Sequence, residues 1–163
     1  MTEILRVTLV AILLAIGFAC YFLVVGALFI GRVSKTVNIV RQMPGRSFGI
    51  GFVNFLFFGT IAIILFAVSE GVGNEVVKFI LLVPALVIAA VLVVLLSFGL
   101  SAMISILAER VFPGLSDWRK TFWGTVILAF GSAIPTVGWF LLFPYVALTG
   151  FGAVILGFFQ RNS

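Results

Sequence analysis

The sequence predicts an all-α integral membrane protein. It has three transmembrane helices, a short interfacial amphipathic helix after the first, and a C-terminal broken helical hairpin. Three observations predict this. First, all fifteen charged residues, ten basic and five acidic, lie outside four apolar runs at 7–31, 48–69, 79–108 and 122–159. Each run exceeds the roughly 18 apolar residues that mark a span. Second, the 163-residue chain is 63% hydrophobic and 9% charged, with mean hydropathy +1.36. Soluble domains carry about 25% charged residues, and a fold of this size has too little polar surface to cover such a composition. Third, the last run is broken by Ile134-Pro135-Thr136-Val137-Gly138-Trp139. A single polytopic domain over 1–163 follows, with helices at about 4–31, 48–69, 77–108, 121–133 and 139–159.

The first run contains Cys20, the only cysteine, so no intramolecular disulfide forms. Gly17-Phe18-Ala19-Cys20 is distantly similar to a lipoprotein cleavage site, but the apolar run continues to Gly31. The reading is a retained helix rather than a cleaved signal peptide. Beyond it, Val33, Val37 and Val40 share one helical face, with Ser34, Lys35, Asn38, Arg41 and Gln42 opposite. This pattern suits a basic amphipathic helix lying in the membrane interface. A straight extension of the first helix past the headgroups fits it equally well.

Pro44-Gly45-Arg46-Ser47 and Pro113-Gly114-Leu115-Ser116 each precede an apolar run. Pro-Gly is expected to end the preceding element, with Ser47 and Ser116 as N-caps. A weak internal duplication and independent use of the same turn chemistry both explain the recurrence, and the second is favoured. In the second run, Gly49, Gly51 and Gly59 are read as helix-packing positions, and Asn54 as a bond to a neighbouring helix. Ala90, Ser97, Ser101 and Ser105 form a small-residue stripe in the third run, and Gly150, Gly152 and Gly157 a glycine set in the last. Small residues let helix backbones approach closely, so packing is their expected role.

The last run has 38 residues, about 57 Å as one straight helix, against a hydrocarbon core of about 30 Å. Pro135 removes a backbone donor and Gly138 lets the chain reverse. A hairpin turning at Pro135, Gly138 and Trp139 therefore replaces a single span, either re-entrant or as two spans. The basic residues set its orientation. Arg32, Lys35, Arg41 and Arg46 stand in the first connection, which has no acidic residue, and Arg110, Arg119 and Lys120 in the third. By the positive-inside rule both face the cytoplasm, so the N-terminus lies outside and, with a hairpin, the C-terminus inside. The net charge of +5 is explained by these loops and needs no nucleic-acid partner. Trp118 and Trp123 are placed as interfacial anchors, and Trp139 either anchors the opposite interface or plugs the turn.

The chain has no histidine, which removes the commonest metal and haem ligand and the usual proton shuttle. It carries none of the CxxC, HExxH, P-loop or GxSxG patterns. No ionisable side chain falls within an apolar run, where pumps and ion-coupled carriers keep one. The reading is non-enzymatic, with no cofactor and no metal site.

Met43-Pro44-Gly45-Arg46-Ser47-Phe48-Gly49-Ile50-Gly51, Ile134-Pro135-Thr136-Val137-Gly138-Trp139 and Gly150-Phe151-Gly152-Ala153 together resemble the membrane domain of bacterial bactofilin-like, polymer-forming proteins. That domain has a PGRS-type turn and an IPxxGW-type break. The resemblance covers roughly 32–159 and implies a bacterial, non-enzymatic membrane module. The repetitive polymerising β-domain of that family is absent here, so polymer formation is not carried over. The expected function is a membrane scaffold or accessory subunit that packs against the bilayer and other membrane proteins or itself. The alternatives are a small oligomeric channel or facilitator lined by the hairpin, and a lipid- or pigment-binding subunit.

Overall fold

The computed structural model describes residues 2–133 and 138–160. Every regular element among them is helical: α1 Thr2–Leu28, α2 Ile30–Gln42, α3 Pro44–Gly71, α4 Glu75–Val111, α5 Asp117–Ala133, a π-helical turn Gly138–Leu142, and α6 Phe143–Phe159. Among the described residues three segments are each long and apolar enough to cross a membrane, Pro44–Gly71, Glu75–Val111 and Phe140–Phe159, and Ile16–Leu28 with Ile30–Gln42 would be a fourth only as one bent pair. The second arm of the expected hairpin is thus of full spanning length. The first arm, α5, has 17 residues, about 26 Å. It starts earlier than expected because Asp117 through Lys120 join the helix.

The first run does not continue straight into the basic segment. The chain bends by 99° between Ile16–Leu28 and Ile30–Gln42. Phe29 leaves helical geometry there, at φ −124° and ψ 39°. Its ring packs edge-on against Phe98 of α4, with centroids 4.9 Å apart. The alternative of a straight extension is therefore replaced by a separate amphipathic helix. The apolar side of α2 is anchored because Ile39 and Val40 pack on Ala153 of α6, with Met103, Ile106 and Leu156 around them.

The two Pro-Gly pairs do different work. Pro44 is the first residue of α3 rather than the end of α2, as suits a ring whose missing N–H costs nothing in a first turn. Ser47 is consequently not an N-cap. It lies buried in that turn and donates to the Met43 carbonyl at 2.9 Å. Pro113 and Gly114 lie in the turn before α5, where the Ser116 carbonyl accepts from the Lys120 N–H. The sequence missed the cap of α4, where the Asn74 side chain accepts from the Val76 N–H at 3.0 Å.

The bundle is organised around α6. Half of its apolar segment is buried, against 11% for α3 and 6% for α4. Gly150 and Gly152 explain the difference. They are two residues apart, so about 200° apart around the helix, and each admits a different neighbour. A Cβ on Gly152 would lie 2.5 Å from the Gly51 nitrogen of α3 and fall onto the Ser47 carbonyl. A Cβ on Gly150 would lie 2.7 Å from the Gly99 Cα of α4. α6 is thus wedged between α3 and α4 by backbone contact on opposite faces. α5 docks on α4 by the same means, since a Cβ on Gly124 would meet the Ala108 Cβ at 2.8 Å. It packs along α1 and α4 and meets the π-helical turn. Leu128 packs with Val146, Ile104 and Phe22, while Gly131 stands beside Leu142.

Candidate functional site

The expected small-residue positions divide between two faces. Gly150 and Gly152 are backbone contact points, and Gly157 meets α2, with a Cβ there 3.4 Å from the Ile39 Cδ1. Ser101 is buried, and a Cβ on Gly26 of α1 would lie 3.7 Å from its Oγ. Ser97 accepts from the Tyr21 hydroxyl of α1 at 2.8 Å. The serine stripe therefore faces α1, whereas α4 meets α6 through Gly99.

Ala90 does not join them, because its side chain is exposed. α1 runs alongside α4 near Ser97 and Ser101 but leaves an open groove beside Val93 and Leu96. Gly49 and Gly59 are likewise not packing sites, since a Cβ on either would meet nothing within 4 Å. Asn54 bonds its own helix, donating to the Ile50 carbonyl at 2.8 Å. Gly99 and Gly124 were missed by the sequence reading. Gly99 is the only glycine in α4, which is a usable signal, because an isolated glycine costs a helix about 1 kcal/mol and calls for a packing reason.

The serine hydroxyls spend their hydrogen bonds locally. Ser97 donates to the Val93 carbonyl and Ser105 to the Ser101 carbonyl, at 2.8 and 3.0 Å. Thr149 of α6 is different. It is fully buried one turn from Val146 and Ala153, and its hydroxyl has no hydrogen-bond partner among the described residues. Of the hairpin turn, Pro135 lies outside the described residues, as does the side chain of Trp139. Gly138 is buried and opens the π-helical turn.

The basic connections come together at one end of the bundle. α2, the first turn of α3, the last turn of α4, the start of α5 and the end of α6 all lie there. Arg41 pairs with Glu109 across α2 and α4, both side chains about half exposed. Lys35 donates to the Gln160 carbonyl at 2.6 Å, which ties α2 to the end of α6. The Arg32 guanidinium sits over the Phe158 ring at 4.8 Å, and that of Arg119 over Trp118 at 5.2 Å. Arg46 reaches the Met43 sulfur at 3.7 Å. Trp118 and Trp123 are exposed at this end.

A cavity of about 460 Å³ opens at the elbow between α1 and α2, where Lys120 lies on its wall. Its apolar wall comes from Leu23, Ala27, Ile30, Val33 and Val37, and its polar wall from Ser34, Ser105, Glu109, Lys120 and Thr121. Two other cavities are apolar. One is an open groove of about 800 Å³ between α1 and α4, whose polar atoms include the Tyr21–Ser97 pair. The other, of about 340 Å³, lies between α3, α4 and α6 beside Phe52 and Phe55. Among the described residues, no three cysteine or acidic side chains come together as a metal site would require.

Comparison with protein-family models, with curated proteins and with solved structures found no match for this chain.

Proposed function

We propose that the chain is a non-enzymatic integral membrane scaffold or accessory subunit that packs laterally against other membrane proteins or copies of itself. The observation that carries the reading is how the interior is used. α3, α4 and α6 touch backbone to backbone at Gly51, Gly152, Gly99 and Gly150. Ser97 and Ser105 of α4 bond their own helix. The cavity beside these contacts, between α3, α4 and α6, is lined by apolar side chains. The large unoccupied surfaces are lateral and apolar, above all the groove between α1 and α4. Helices in a bilayer associate through shape and close packing rather than through a hydrophobic drive, and a groove of this kind supplies shape.

The bilayer orientation follows from charge. Arg32, Lys35, Arg41, Arg46, Arg110, Arg119 and Lys120 crowd one end, and basic residues mark cytoplasmic loops. The connection between α3 and α4, with Glu70, Glu75 and Lys78, then lies outside with the N-terminus, and the C-terminus inside. A bacterial cytoplasmic membrane fits both this asymmetry and the resemblance to the bactofilin-associated membrane domain. Purification in mild detergent tests the function. The chain is expected to elute as an oligomer or with a stoichiometric protein partner, whereas a clean monomer alone contradicts it.

A further inference from the structure

We propose that the first half of α1 is a hinged arm that closes onto α4. The groove between them then has two forms: the open one of this structure, and a closed one in which Leu14 and Gly17 lie against Ala90 and Val93. Opening presents the groove on the lateral surface of the bundle, and closing withdraws it. The motion belongs to the single chain and goes beyond the packing reading above.

First, the arm is fastened at one end only. Between Arg6 and Phe18 every described side chain is exposed, and the first buried residues of α1 are Ala19 and Phe22. Phe22 packs with Ile104, Leu128 and Val146. From Thr2, where α1 begins, to this fastening runs about 25 Å of helix. Segments with few buried contacts are the ones that move at lowest cost in a fold.

Second, open space flanks α1 on both sides of the fastening. Toward the N-terminus lies the groove of about 800 Å³ against α4. Toward the C-terminus, Leu23 and Ala27 border the elbow cavity of about 460 Å³. The helix ends at Leu28, and the chain turns by 99° after it. A rigid helix with room at both ends and a break behind it tilts about its fastened middle. Tyr21 lies at the level of the fastening and donates to Ser97 at 2.8 Å, so that bond is kept as the arm tilts.

Third, the facing surfaces fit a closer approach than they make. Gly17 lines the groove, yet a Cβ there would meet nothing within 4 Å. At Gly26 a Cβ would lie 3.7 Å from the Ser101 Oγ. The two helices thus converge toward the elbow and splay toward the N-terminus. A glycine costs a helix interior about 1 kcal/mol relative to alanine, and close helix approach offsets that in membrane bundles. Gly49 also meets nothing, but Gly17 has α4 across the groove. Ala90 completes the pattern. It continues the line of Ser97 and Ser101 that meets α1, yet it is exposed and does not line the groove. Gly17 stands one turn before Tyr21, as Val93 stands one turn before Ser97. Closing the arm brings that pair level and covers Ala90.

The test is oxidative cross-linking in membrane vesicles, in a Cys20→Ser background. Leu14→Cys with Ala90→Cys reports the closed form, because a disulfide needs Cα atoms within about 7 Å of each other. Gly26→Cys with Ser101→Cys is the reference, since those positions are already close. Both pairs are expected to link within one chain. Gly17→Leu is expected to slow the Leu14–Ala90 link about tenfold, as a bulky side chain in a close contact implies, and to leave the reference unchanged. A reference pair that links while the Leu14–Ala90 pair does not overturns the proposal. An equal Leu14–Ala90 rate with and without Gly17→Leu overturns it too, because the approach then does not run through Gly17. A product of twice the chain mass overturns it by assigning the face to a second copy. Melting temperature shows that each variant is folded. Because the link forms within one chain, its absence leaves the lateral-packing reading untouched.

Discussion

At the scale of single residues, glycine decides where helices touch. Gly152 and Gly49 are both helical glycines in apolar segments, and they stand in opposite situations. A Cβ on Gly152 falls onto the Ser47 carbonyl, while one on Gly49 meets open space. Gly152→Ala is therefore expected to destabilise the bundle by about 1–3 kcal/mol, the usual cost of overpacking. Gly49→Ala is expected to be neutral or to stabilise by up to about 1 kcal/mol through helix propensity. Denaturant titration in detergent micelles separates the two, and equal effects would remove the glycine wedge from the account. The buried Thr149 hydroxyl makes the converse case. It has no partner among the described residues, and an unmade buried hydrogen bond costs about 1–3 kcal/mol. Thr149→Val keeps the shape and removes the hydroxyl, so a gain in stability of about 1 kcal/mol is expected by the same titration. A loss would mean that the hydroxyl serves a bound water or ligand. Gly99 carries a sequence signal as the lone glycine of α4, though not one that says which helix it meets. Thr149 carries none, because its importance arises only from the helices that bury it.

At the scale of elements, the amphipathic helix α2 is held by two kinds of contact of unequal strength. Its ion pair, Arg41–Glu109, is about half exposed on both sides, and exposed pairs contribute about 0–1 kcal/mol. Its apolar anchor, Ile39, is 4% exposed and packs on Ala153 of α6. Truncating a buried isoleucine costs about 2–5 kcal/mol. Ile39→Ala is therefore expected to release α2, seen as faster tryptic cleavage at Arg32 and Lys35, while Glu109→Gln leaves the cleavage rate nearly unchanged. The reverse order would show that charge holds the helix. The face of α2 was legible because valines at 33, 37 and 40 repeat with helical spacing. Its direction was not, because the bend depends on Phe29 meeting Phe98, a contact 69 residues apart in sequence. Ser47 shows the same limit on a smaller scale. A serine after Pro-Gly fits an N-cap, yet Pro44 itself starts α3, and the serine falls one turn inside.

At the scale of the whole molecule, one arrangement unites the charges, the glycines and the cavities. The lengths of the apolar segments were readable from the sequence because charged residues bound them, whereas the packing of α5 along α1 and α4 was not. The central position of α6 was not readable, because its composition resembles that of α3 and α4, and only mutual packing singles it out. The basic end gathers segments that are far apart in the chain, and the elbow cavity exists only once α1, α2, α4 and α5 have met there. The central claim is that this bundle works through its lateral surfaces. The most direct test is the mass of the particle extracted from native membranes with styrene–maleic acid copolymer, without detergent. The account predicts a particle containing more than one protein chain, either further copies or a partner in fixed ratio. A particle holding a single chain surrounded by lipid would contradict it.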